Sequence, residues 1–182
     1  MKLRRILGWG AIAIPLLLLA TLFVAYWMSD NACSDPAAAP RNPMKAFVYC
    51  DYGTADVLRL EDIEKPVPAA NEVLVKVRAA AVNPLDWHYM RGTPYFMRVE
   101  TGLRKPKVTR LGVDFAGTVE AVGKGVTQFK PGGAVFGGKT GAFAQYVTIA
   151  EDRGVVRKPP NISFEQAAAV PIAAITALQA LR

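Results

Sequence analysis

Residues 111–137 read LGVDFAGTVEAVGKGVTQFKPGGAVFG, and this stretch predicts more about the fold than any other part of the chain. Glycines punctuate its short β-branched runs at positions 112, 117, 123, 125, 132, 133 and 137. Residues 118–122 alternate in the manner of a strand. Glycine suits places where a strand turns sharply or where another backbone comes close. We therefore expect a small, strongly curved sheet rather than a helical protein.

Strand patterns continue on the N-terminal side of this stretch. Residues 44–50 and 57–63 read as two strands joined by a turn. Residues 72–82 form the longest alternating run and predict the longest strand. The region from residue 44 onward is long enough to form one domain with a hydrophobic core.

A short helix is expected to begin directly after the longest predicted strand. The side chain of Asn83 can cap the helix, and Pro84 suits the first helical position. Asp86 falls in the first turn, near the positive end of the helix dipole. Capping explains these three residues without any catalytic or binding role.

Several blocks of this sequence together resemble the GroES-like catalytic domain of medium-chain dehydrogenases/reductases. The most similar branch is the zinc-independent quinone-oxidoreductase group. The resemblance rests on residues 44–81, NPLDWHYMRG at 83–92, the glycine-rich residues 111–137, GAFAQYVT at 141–148, and residues 159–181. It implies a mainly β fold over residues 44–182: a GroES-like, partly open β-barrel with short helices.

The resemblance also implies a site. Asn83 and Thr176 would lie beside a nicotinamide cofactor, and Asp86 and Tyr89 would line the substrate cleft. The alternatives are plain helix capping for Asn83 and Asp86, and plain helix packing for Thr176. The implied chemistry is NADPH-dependent reduction of a quinone, enone or related carbonyl, with a possible homodimer in the full-length form. The sequence does not identify a proton donor.

Zinc is not expected. Zinc-dependent relatives need thiolate, imidazole and carboxylate ligands, and this chain has one histidine and two cysteines. Where those relatives carry Gly-His-Glu, this chain has Gly112-Val113-Asp114. His88 reads as a half-exposed surface histidine. Two cysteines, Cys33 and Cys50, predict no disulfide framework.

No dinucleotide-binding unit is recognised in the sequence. A Rossmann unit needs a strand, a G-x-G-x-x-G turn and a helix, and nothing after residue 141 supplies them. We therefore expect the N-terminal part of an oxidoreductase, truncated before the cofactor domain and inactive alone. The alternative, from another functional class, is a membrane-tethered, non-catalytic GroES-like binding module.

Residues 133–140, GAVFGGKT, formally match the P-loop pattern G-x-x-x-x-G-K-[ST]. A P-loop follows a buried strand and opens a helix. Here Pro131 and Gly132 precede the motif, and strand-like alternation follows it. Nucleotide binding between Gly133 and Thr140 is therefore only a minor alternative.

The N-terminus differs in composition from the remainder. Residues 6–28, ILGWGAIAIPLLLLATLFVAYWM, carry no charge, and at about 1.5 Å per residue they would span a bilayer core of roughly 30 Å. We expect a single transmembrane anchor within residues 1–29, followed by a linker over residues 30–43; a cleaved signal peptide is the rival interpretation. The basic residues before this run, Lys2, Arg4 and Arg5, favour a cytoplasmic N-terminus and leave the side of the domain uncertain.

The charge of the chain is mildly basic. The formal net charge is +7, and part of it belongs to the N-terminal segment. The remaining basic residues are spread over the domain and form no stripe of the kind that binds nucleic acid. A nucleic-acid partner is not expected.

Overall fold

The computed structural model describes residues 2–28, 33 and 39–182, and it describes side chains from residue 14 onward. In the described part, the strands are β1 (Pro43–Val48), β2 (Arg59–Glu64), β3 (Glu72–Ala81), β4 (Asp114–Val122), β5 (Ala134–Gly138), β6 (Tyr146–Ala150) and β7 (Val155–Arg157). The helices are α1 (Lys2–Met28), α2 (Pro84–Arg91), α3 (Arg98–Thr101), α4 (Phe164–Ala168) and α5 (Pro171–Ala180). The three strands predicted before residue 83 are confirmed, with ends shifted by a few residues.

The strands form two sheets, and every pairing is antiparallel. β1 and β2 make a hairpin, and the other five strands form one sheet in the order β6-β3-β4-β5-β7. The strand β3 pairs with both β4 and β6, so it lies near the middle of the larger sheet. Register shifts at residues 74/75 and 77/79 of β3 bend the larger sheet.

The predicted fold class needs correction. Isolated bridges link the hairpin to the segments that precede β6 and β4, between Ala46 and Ala144 and between Val48 and Arg110. The strands therefore form a curled antiparallel sheet and a hairpin rather than the expected partly open barrel. About 30% of the chain is helical, so the description "mainly β" understates the helices.

The main core is built on the five-stranded sheet. Buried side chains from all five of its strands meet there, among them Val73, Val75, Phe115, Val119 and Val135. Close packing also explains one of the glycines that predicted the sheet. A Cβ at Gly117 would collide with the carbonyl oxygen of Lys76 on β3, so only glycine allows the two strands to approach this closely.

The predicted membrane anchor is wrong. Within the described residues, no helix combines the length and the apolar character needed to cross a bilayer. A single-pass membrane localisation, with the topology expected from Lys2, Arg4 and Arg5, is therefore not supported.

Most of the predicted linker over residues 30–43 lies outside the described residues. The parts that are described contact the domain. Cys33 forms a disulfide with Cys50, which the cysteine count did not predict. The backbone N–H of Arg41 donates to Glu64 Oε2 at 2.8 Å, so this residue is already attached to the hairpin.

Candidate functional site

Asn83 lies between the end of β3 and the start of α2, and it caps the helix as predicted. Its Oδ1 accepts a hydrogen bond from the backbone N–H of Leu85 at 2.9 Å. The backbone N–H of Asn83 donates in return to Asp86 Oδ2 at 3.0 Å. This reciprocal arrangement is a capping box, and Pro84 occupies the first turn. Local sequence alone therefore fixes the backbone of Asn83.

Asp114, the first residue of β4, joins Asn83 to another helix. Asn83 Nδ2 donates to Asp114 Oδ2 at 3.2 Å. The backbone N–H of Ile172, in the first turn of α5, lies 3.3 Å from both Asp114 carboxylate oxygens. Asp114 is only 2% exposed. One buried carboxylate thus accepts hydrogen bonds from the start of α2 and from the start of α5.

Asp86 is the second buried carboxyl group at this site, and it is also 2% exposed. Burial raises its pKa, the hydrogen bond from the Asn83 backbone opposes this rise, and the charge of Asp114 adds to it. The backbone N–H groups of Gly112 and Val113 also act to lower the pKa. Neither makes a well-aligned bond, since Asp86 Oδ1 is left without a hydrogen-bond partner.

Burial also raises the pKa of Asp114. The N–H of Ile172 and the amide of Asn83 oppose this rise because both stabilise the ionised form. Perturbed carboxyl groups beside a polar amide are frequent at functional sites. We therefore take Asn83, Asp86 and Asp114 as the candidate site.

The other predicted site residues lie elsewhere. Tyr89 is half-buried and packs on the cluster of Tyr49, Met90 and Leu111. Thr176 is exposed on α5, four residues beyond the Ile172 tether. Across the described residues, no hydrogen bond connects Tyr89 or Thr176 to Asn83 or Asp114.

The imidazole of His88 contacts the backbone of its own chain. Its Nδ1 lies 2.6 Å from the carbonyl oxygen of Thr93, just beyond the end of α2. In the described part of the chain, no three His, Cys, Asp or Glu side chains converge as ligands for a metal ion. The zinc-free character stays a prediction.

The P-loop alternative does not fit the backbone. Residues 134–138 form strand β5, and the next regular element is strand β6 rather than a helix. Lys139 lies 3.5 Å from the carboxylate of Glu72 in an ion pair. The motif therefore lacks the helix N-terminus that would hold a phosphate.

A groove of about 580 Å³ lies between the β1–β2 hairpin and the end of β3. Its lining is mostly apolar and includes Phe47, Leu60 and Val82, and it also contains Lys45 and Arg78. It contains none of the predicted site residues. The cluster around Asn83 is the stronger candidate because its polar groups are linked by hydrogen bonds around two buried carboxyl groups.

The sequence pattern does not include Asp114 among the predicted site residues. It appears there only as the residue that stands in place of a zinc ligand. One signal could have found it: an acidic residue within the apolar run Leu-Gly-Val-Asp-Phe-Ala is expected to need a buried partner. Which partner it finds depends on strand pairing, which the local sequence does not show.

A curled antiparallel sheet with glycine-mediated strand contacts, and a polar site at the start of two helices, defines a GroES-like domain of the alcohol dehydrogenase type. Comparison with known proteins agrees with this class. The family model described as the alcohol dehydrogenase GroES-like domain matches residues 69–160. The chain belongs to this family and, within the medium-chain dehydrogenases/reductases, to the quinone-oxidoreductase-like branch, where it corresponds to the N-terminal domain.

Individual relatives support the same branch. A quinone oxidoreductase of Lama guanicoe is 37% identical over 142 residues, covering 76% of this chain and 40% of the relative. The structure of the quinone oxidoreductase from Coxiella burnetii superimposes with a TM-score of 0.68 at 34% identity, covering 77% of this chain and 44% of that one. The Escherichia coli quinone oxidoreductase complexed with NADPH gives a TM-score of 0.66 at 29% identity, covering 76% and 40%. The chain thus spans about 40% of the length of the curated relatives it matches.

Proposed function

We propose that this chain forms the N-terminal, cleft-lining part of an NADPH-dependent, zinc-free oxidoreductase that reduces quinones, enones or related activated carbonyls. The proteins to which this chain is similar include quinone oxidoreductases and an NADPH-dependent alkenal/one oxidoreductase of Arabidopsis thaliana. In this proposal Asn83 and Thr176 contact the cofactor. Asp86 and Tyr89 shape the substrate side of the cleft.

The locked carboxamide of Asn83 carries this proposal. Its Oδ1 faces a donor, the Leu85 N–H, and its Nδ2 faces an acceptor, Asp114. Because one partner is a donor and the other an acceptor, they fix the positions of the amide oxygen and the amide nitrogen. An Asn amide has two N–H donors, and only one is used by Asp114. The remaining N–H is available for an acceptor oxygen, such as a carboxamide or hydroxyl oxygen of a bound nucleotide.

The other residues fit the cofactor less directly. The exposed hydroxyl of Thr176 is open to a ligand, and it lies on the helix that Asp114 tethers. Asp86 acts through the backbone of Asn83, and its unpartnered oxygen is buried. Tyr89 contributes mostly apolar packing behind the site.

When bound, NADPH supplies the hydride, so the protein need only orient cofactor and substrate and provide a polar cleft. The residues described here can hold an acceptor oxygen at Asn83. They supply no group positioned as a proton donor within the described part of the site. The substrate class follows from the relatives and remains part of the proposal.

Binding of NADPH to Asn83→Ser and to the unmodified chain tests the proposal. Serine still caps a helix but lacks the carboxamide N–H, so the helix is kept while the ligand donor is lost. We expect NADPH affinity, measured by cofactor fluorescence, to fall about tenfold or more, since a bond to a buried polar partner is worth about 1–3 kcal/mol.

Lys139→Ala is the matched control, because it removes the P-loop lysine and leaves Asn83 intact. We expect it to bind NADPH as the unmodified chain does. Equal NADPH affinity in Asn83→Ser and the unmodified chain would contradict the role of Asn83. Loss of binding in Lys139→Ala alone would favour the P-loop alternative.

A further inference from the structure

Three elements meet at the carboxylate of Asp114. The residue begins β4, its Oδ2 accepts from Asn83 at the start of α2, and both its oxygens face the N–H of Ile172 at the start of α5. The residues proposed to contact the cofactor, Asn83 and Thr176, belong to the two helical segments that it joins. No other described side chain hydrogen-bonds to both of these segments.

We propose that Asp114 is a positioning residue for the cofactor site. It fixes the direction of the free N–H of Asn83 and the placement of α5, and thereby the geometry between Asn83 and Thr176. This inference rests on the proposed function for its ligand, NADPH. The link that Asp114 makes between the two helical segments rests on the hydrogen bonds alone.

A carboxylate suits this position better than other side chains. It offers two oxygens and only accepts hydrogen bonds, and here it meets two donors from different elements. Asparagine has the same shape but one oxygen, so its NH₂ group would face either the Asn83 amide or the Ile172 N–H. Gly138 lies nearby without crowding: a Cβ added there would lie 3.6 Å from Asp114 Oδ1. The position therefore depends on the chemistry of the carboxylate and not on tight packing by Gly138.

NMR couplings across hydrogen bonds test the link in the unmodified chain. Couplings from Asn83 Nδ2 and from Ile172 N to Asp114 Cγ are expected. The backbone bond from Thr93 N to the carbonyl of His88 has a matched length of 3.2 Å and provides the internal reference. Absence of both Asp114 couplings while the reference coupling is observed would overturn the proposal, and this result needs no variant to fold.

Asp114→Asn tests the consequence for binding. We expect altered side-chain amide shifts for Asn83, exchange of the Ile172 amide proton faster by about tenfold or more, and weaker NADPH binding by a similar factor. Core amides such as those of Val75 and Val119 should keep their exchange rates, whereas a general loss of stability would change all of them. Asp114→Glu keeps both acceptor oxygens and should recover part of the affinity.

Ser163→Ala is the matched control, because it removes the corresponding cap of α4 without touching Asp114. It should leave NADPH binding unchanged. Unchanged binding in Asp114→Asn, with its Asn83 and Ile172 signals altered, would overturn the positioning role while leaving the proposed function intact. Unchanged NADPH binding in both Asn83→Ser and Asp114→Asn would contradict the cofactor role of Asn83, and the cofactor-directed part of this inference would fail with it.

Discussion

Asn83 has two separable properties at the scale of a single residue. Its oxygen caps α2 through Leu85, which the sequence predicts from Asn-Pro and an acidic residue three positions on. Its nitrogen binds Asp114, which lies 31 positions away in sequence and becomes a neighbour only through the pairing of β3 with β4. The cap could therefore be predicted, and the link to Asp114 could not.

Asn83→Asp separates these two properties. Aspartate still caps the helix, but it replaces the Nδ2 donor of Asn83 with a second carboxylate oxygen that faces Asp114. We expect a loss of about 1–3 kcal/mol in the free energy of unfolding near neutral pH, because one buried hydrogen bond is replaced by two acceptors. Urea unfolding measures this loss. The same change at an exposed cap, Ser163→Asp, should cost much less, and equal losses would contradict the buried link.

The raised pKa of Asp86 is expected to make the free energy of unfolding depend on pH. Its pKa in the folded chain is raised, mainly by burial, above the unfolded value of about 3.9. Between these two values the folded state binds more protons, so the contribution of Asp86 to stability is complete below the unfolded pKa. It is lost as the pH rises through the folded pKa. The stability of the unmodified chain relative to Asp86→Asn should therefore fall as the pH rises from about 4 through the folded pKa, and then level off.

Urea unfolding of both proteins across this range measures the difference, in which the effects of other titrating groups largely cancel. A difference that rises with pH would mean that the folded state favours the Asp86 carboxylate. That result would contradict the dominance of burial over the hydrogen bond from Asn83.

At the scale of elements, the positions of the strands along the chain could be predicted better than their arrangement in the sheets. Alternation and glycine spacing located β1 to β4 because they reflect local conformation and burial. They did not show that the β1–β2 hairpin forms a sheet of its own, separate from the other five strands. That arrangement arises from long-range packing, for which a strand carries no local signal.

Gly117→Ala tests the close approach of β3 and β4. The added methyl group would collide with the carbonyl of Lys76, and backbone cannot move aside as a flexible side chain can. We expect a loss of about 1–3 kcal/mol in the free energy of unfolding, measured by urea denaturation. Gly138→Ala on the neighbouring strand β5 is the control, since a Cβ there meets its nearest atom at an ordinary 3.6 Å. Equal stability of the two variants would contradict the steric explanation.

At the scale of the whole molecule, the sequence patterns predicted the family and were wrong about the N-terminus. Several motifs that occur in the order and spacing of one family rarely arise by chance. The comparison with known proteins confirms the family. An uncharged run alone is weaker grounds for an anchor, because it is a single feature of composition. The homodimer expected for the full-length form stays a prediction.

NMR mapping of NADPH on the 182-residue chain tests most directly whether Asn83 and Asp114 form a cofactor site. We expect NADPH to shift the side-chain amide of Asn83 and the backbone amides of Ile172 and Thr176, while signals at Lys139 stay unchanged. Shifts confined to residues 133–140, or no shift at Asn83 at saturating NADPH, would contradict it.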